Sequence, residues 1–175
     1  MVRGMCFGLD DATAESLLAA ADDAALDERV ADIEDRMWDA GLVLACELDK
    51  AWDPISCALC PNAYAGIGPD QDWWSDPATW PARGAILGHR VLNDDLETAL
   101  LTYNDPAQVA EVAAFLETID HDRFLALYRA MPSDLRNPEY GTSEGDYAWG
   151  WLAELTRFYT QAAADSRHVI FSVAF

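Results

Sequence analysis

The sequence predicts a single α+β domain over residues 1–175, a small mixed β-sheet packed by several helices, on three observations. Both ends of the chain carry strand-like patterns: Met5, Phe7 and Leu9 alternate near the start, and residues 169–175 are β-branched and aromatic. Between the ends, helical periodicities come in pairs instead of alternating one-to-one with strands. Hydrophobic residues make up 51% of 175 positions, enough for a chain of this length to bury roughly 70% of its unfolded surface in one core.

Each element follows in order. After the strand at residues 2–9, Asp10 and Asp11 supply a helix cap, and Leu17, Leu18 and Ala21 continue as a helix. Leu26, Val30, Ile33 and Met37 recur at helical spacing and form one face of a second helix, which Gly41 ends. Residues 42–48 are an apolar run of strand length, expected to be covered on both faces. A helical turn opens at Asp49-Lys50-Ala51-Trp52 and continues through Cys57 and Cys60 to Pro61.

From Pro61 to Gly84 the chain is rich in Pro, Trp, Asp and Gly and reads as a long irregular loop. Residues 85–88 and 98–103 are short strand candidates. Asp105-Pro106-Ala107-Gln108 combines a cap, Pro at the first helical position and Gln at the third, ahead of the face Val109, Val112, Ala113, Leu116. A further helix spans residues 121–131. The last begins near Ser143, with Trp151, Leu155, Phe158 and Ala162 on one face and Leu152 and Tyr159 beside them. The terminal strand is apolar on both sides and therefore belongs in the middle of the sheet.

Charge narrows the choice of partner. With 31 acidic against 11 basic side chains the net charge is −20, which repels phosphate backbones and anionic lipid surfaces, so neither nucleic acid nor a membrane is expected as partner. The opening residues reach Asp10-Asp11 before any apolar stretch of signal-peptide length, and a cytoplasmic location with reduced cysteines is the expectation.

The pattern of Gly4-Met5, Leu48-Asp49-Lys50-Ala51-Trp52, Ala85-Ile86-Leu87-Gly88, the helix of residues 106–116 and Phe158-Tyr159 with Gln161-Ala162-Ala163 resembles the YfbM-like family of small bacterial proteins. Asp-Lys-Ala-Trp is its most specific block. The resemblance implies a similar α+β fold and brings no established reaction. Residues 96–103 depart from it, lacking the Gly, Pro and Arg that the family tends to carry there.

Four groups of residues are candidates for chemistry. Cys57 and Cys60 form a CxxC, a spacing that suits a shared metal, a redox pair or two buried core thiols; no second CxxC or paired His supplies the remaining zinc ligands. Asp49 and Lys50 follow a strand, where an Asp serves as a base or as a helix cap, and a Lys as an anion binder, a nucleophile or a solvated charge. His89, in a turn between two strand candidates, is placed for proton transfer or for ordinary hydrogen bonding. Trp73, Trp74 and Trp80 lie amid Asp70, Asp72 and Asp76, either as an interaction surface or as a lid folded onto the core; Trp52 poses the same choice.

Glycine-rich phosphate loops and a Gly-x-Ser-x-Gly elbow do not occur. A calcium loop at Asp70 fails because its twelfth position is Pro81, and no cofactor is expected. Two functional readings follow. The first is a binding module for a basic protein, acting as an immunity protein or regulator does; the alternative is an enzyme with a site near Asp49 and His89.

Overall fold

The alternation at Met5, Phe7 and Leu9 becomes strand β1 (Gly4–Leu9), which lies between two other strands and has a core on each face. The computed structural model describes residues 3–40, 43–61, 77–93, 99–136 and 143–174. Strands β2 (Leu44–Asp49), β3 (Arg90–Val91), β4 (Ala99–Asn104) and β5 (His168–Ala174) complete one sheet in the order β2-β1-β5-β4-β3. The terminal strand sits at its centre, as its two-sided apolar character predicts. The sheet, expected to be mixed, is antiparallel at every pairing.

Side-chain alternation divides the interior in two. Cys6, Leu48, Leu100, Phe171 and Val173 face the larger core, covered by α3 (Trp52–Leu59), α4 (Pro106–Leu116), α5 (His121–Ala130) and α6 (Ser143–Ala164). Phe7, Leu9, Leu101, Tyr103 and Ile170 face the smaller one, closed by Ala14 and Leu17 of α1 (Asp11–Leu18) and Leu26 and Ile33 of α2 (Asp23–Ala40).

Local chemistry sets several helix starts as expected. Asp10 accepts from the Thr13 amide, and Asp105 with Gln108 forms a reciprocal capping box behind Pro106. Within α6, Leu152 lies deeper than Trp151, which is only half-buried at the rim of the core.

The middle of the chain departs from expectation. Residues 85–88 are not a strand: a short 3₁₀ turn (Ala82–Ala85) runs into a tight turn pressed onto β4. Side chains, not a neighbouring strand, hold this segment. Thr102 donates to the Ile86 carbonyl at 2.9 Å, and Asn104 and Tyr159 both donate to that of Gly84 at 2.8 and 2.9 Å. Gly88, at φ +64, then reverses the chain where a Cβ would meet Thr102 Cβ at 2.8 Å. The two-residue β3 follows, too short to show a period. Strand β2 is an outer strand with Cys46 and Leu48 buried and its other residues half-buried, so its two-sided cover is partial. Of the expected loop at residues 61–84, residues 77–85 contain two 3₁₀ turns, while 62–76 lie outside the described residues.

Candidate functional site: an acidic corner where β2 meets α6

Strand β2 ends irregularly, and that irregularity makes the site. Met5 pairs with Glu47 while Gly4 pairs with Asp49, so Leu48 is an extra residue, turned fully into the core. Asp49 then adopts φ +46, a left-handed conformation that Asp tolerates better than most residues. The N-cap of α3 is Ala51, without a side-chain bond, so the Asp49 carboxylate is not used as a helix cap. It accepts instead from the Tyr147 hydroxyl at 2.8 Å. Burial, followed by this hydrogen bond and the Asp49 charge, pushes the Tyr147 hydroxyl up to about 12.

Two more carboxylates lie in the first turns of the helices that meet at this end of β2. Asp53, in the first turn of α3, accepts from the Cys57 thiol at 3.7 Å. Glu144, in the first turn of α6, accepts from the Tyr128 hydroxyl. Burial raises the Asp53 carboxyl above its usual range, and the Glu144 charge raises it further, although the Cys57 thiol acts the other way. The Tyr128 hydroxyl and the Cys57 thiol are both raised, chiefly by burial and then by the carboxylates beside them. The donors that hold Asp49 and Asp53 are thus a phenol and a thiol, both neutral.

Helical spacing completes the corner. Tyr147 lies three residues beyond Glu144 and Trp151 four beyond Tyr147, so all three share one face of α6. Tyr147 is 40% exposed, and the Trp151 ring stands edge-on to it at 6.4 Å. Among the described residues, no three His, Cys, Asp or Glu side chains are grouped so as to hold a metal ion.

The remaining sequence candidates lie elsewhere. Trp52 is 7% exposed, with its ring 5.8 Å from that of Phe171, so it is part of the core rather than a contact surface. Lys50 is exposed. Cys57 and Cys60 are buried free thiols; the second donates to the Thr79 carbonyl at 3.8 Å. Trp80 is half-buried: its indole donates to Glu111 and its ring meets His89 edge-on at 5.3 Å. Trp73 and Trp74 lie outside the described residues.

His89 and Asp49 do not share a site. His89 pairs through its amide with Tyr103 at the β3 edge, whereas Asp49 ends β2 at the opposite edge. Four strand spacings separate the two edges, roughly 19 Å. A cleft of about 160 Å³ between the α1–α2 turn and Arg90 and Leu92 is lined by neither residue. Within one chain Asp49 and His89 therefore do not line a common pocket.

One further line of groups was not legible in the sequence. Tyr103 OH lies 2.6 Å from His168 Nδ1, and His168 Nε2 lies 3.1 Å from Asp11 Oδ1. The order resembles a catalytic relay, but the hydroxyl occupies the buried end and the carboxylate, 84% exposed, the wet end. A nucleophile must face its substrate. This line ties α1 to the sheet.

Fold and corner together define a small α+β protein built on an open antiparallel sheet. The chain belongs to the family described as a domain of unknown function (DUF1877), whose model matches residues 2–172. Among solved structures it is similar to the crystal structure of a protein of unknown function, YfbM from Escherichia coli, with a TM-score of 0.64, 16% identity and 100% of both chains covered. At that identity the likeness is one of fold. No curated protein matches the chain.

Proposed function

We propose that the protein is a binding module that takes a basic protein partner at the corner of Asp49, Asp53 and Glu144, acting by occupancy as an immunity protein or a regulator does. One observation carries the reading: Asp49 and Asp53 are held by neutral donors, a phenol and a thiol, with Glu144 near Asp53 and an exposed tyrosine and a half-buried tryptophan beside them. Like charges brought together are costly unless a counter-charge offsets them, and a partner's guanidinium or ammonium groups supply it. Tyr and Trp are the side chains on which such contacts concentrate, and Arg stacks on their rings. The net charge of −20 steers a basic partner toward the surface from a distance.

The test is a titration with a short arginine-rich peptide, followed by NMR at the Trp151 indole N–H. Shifts centred on Trp151 and Tyr147 are expected, weakened strongly between about 50 mM and 500 mM salt and abolished in the Asp49→Asn/Glu144→Gln double variant. Shifts absent at low salt, or spread evenly over the acidic surface, would overturn the reading.

A further inference from the structure

We infer that the outer edge of β2 receives an extended segment of that basic partner, which joins the sheet as a sixth strand and brings its cationic side chains to the corner. The inference rests on the proposed function and adds how the partner is held. The two edges of the sheet differ sharply. At the β3 edge the strand has two residues, and just beyond it the Asn93 side chain takes the place of a neighbour, accepting from the Leu101 amide at 2.7 Å and donating to the Ala99 carbonyl at 2.8 Å. That edge is blunted.

At the other edge β2 runs for six residues, pairs with β1 on one side, and among the described residues pairs with nothing on the other. It contains no Pro or Lys, and the devices that guard an edge are confined to its second half, in the charged Glu47 and the bulge at Leu48. Among the described residues no strand covers its outward-facing backbone groups, although the Leu48 carbonyl accepts from the Ala51 amide and the Glu47 carbonyl from the Cys46 thiol; its length of roughly 20 Å leaves room for a segment of about seven residues.

Charge selects the occupant and its direction. Along the body of β2, Glu47 pairs with Arg3 at 3.1 Å, and Glu154, close enough to raise the Cys46 thiol, pairs with Arg157. Those acids are already offset. At the end of β2, Asp49 is held by a phenol, and Asp53, four residues further along the chain, by a thiol. The segment is therefore basic at the end that meets Asp49 and neutral along the rest. A second copy of this chain is a poor occupant, since each copy carries −20.

The probe is the heptapeptide Arg-Arg-Thr-Val-Thr-Val-Thr, compared with two versions N-methylated at alternate residues of opposite parity. An added strand presents every second amide to β2, so one methylated version is expected to lose binding about ten-fold or more while the other binds as the parent does. Amide exchange in β2 is expected to slow only with the competent peptides. If both methylated versions bind alike and β2 amides stay unprotected while Trp151 still shifts, the inference fails and the corner reading stands. If Trp151 does not shift with the parent peptide, both fail. Protection of β2 amides that grows with protein concentration and no peptide makes a second copy the occupant and overturns the inference.

Discussion

The Tyr147 hydroxyl donates to the Asp49 carboxylate at 2.8 Å, joining the first turns of α6 to the end of β2 across 98 positions of sequence. The bond is made by a neutral phenol and lost when the phenol ionises. Its folded pKa of about 12 stands above the unfolded value near 10, so its stabilisation is complete below pH 10 and disappears as pH rises through 12. Tyr147→Phe is expected to cost about 1 kcal/mol at neutral pH, because the ring stays and one hydrogen bond goes. The difference between variant and parent, read from denaturant midpoints, narrows above pH 10. A difference that widens in alkali would contradict the assignment.

Gly4 is required by packing. A Cβ there would sit 2.7 Å from Phe171 Cε2 and 2.8 Å from Trp52 Cδ1, inside the ring contact that anchors the first turn of α3. Gly4→Ala is expected to destabilise by about 1–3 kcal/mol through overpacking. Gly150 is the internal control. It lies mid-helix in α6, where an added methyl would meet nothing within 4 Å, and Gly150→Ala is expected to stabilise by about 0.5–1 kcal/mol. Thermal unfolding of the two variants should move in opposite directions.

All four cysteines are buried, and Cys6 faces Cys46 across β1 and β2. Burial raises the Cys6 and Cys57 thiols and pushes Cys46 up to about 12, so thiolate is scarce at neutral pH. A disulfide reagent at pH 8 is expected to leave the native protein untouched and to titrate four thiols after denaturation. One thiol reacting quickly in the native state would revive a redox role for Cys57 and Cys60.

What the sequence reveals here is local chemistry, and what it hides depends on distant partners. The box of Asp105, Pro106 and Gln108 places α4 because a cap is satisfied within four residues. The two-sided apolarity of β5 gives its central position for a similar reason. Residues 85–88 are apolar because they are buried, yet Thr102 donates to the Ile86 carbonyl and Asn104 and Tyr159 to that of Gly84 just before them, and no periodicity records that. The corner is partly visible: Asp49 stands out after a strand, and Glu144, Tyr147 and Trp151 keep helical spacing. Their meeting needs the fold. The same spacing also suits a buried face, which is where periodicity alone puts Trp151.

The Asp11–His168–Tyr103 line permits a last test, because a tie and a relay respond differently to truncation. Tyr103 is buried and stacks on the His168 ring at 5.7 Å, so Tyr103→Phe leaves His168 Nδ1 without its partner where water is scarce. A loss of about 1–3 kcal/mol is expected. Asp11 is exposed to solvent, and Asp11→Asn keeps an acceptor near Nε2; its effect should stay within about 0.5 kcal/mol. In a relay the carboxylate orients the imidazole and its loss is felt at the hydroxyl. If Asp11→Asn destabilises as much as Tyr103→Phe, the three groups act as one unit and their role as a tie of α1 to the sheet must be abandoned.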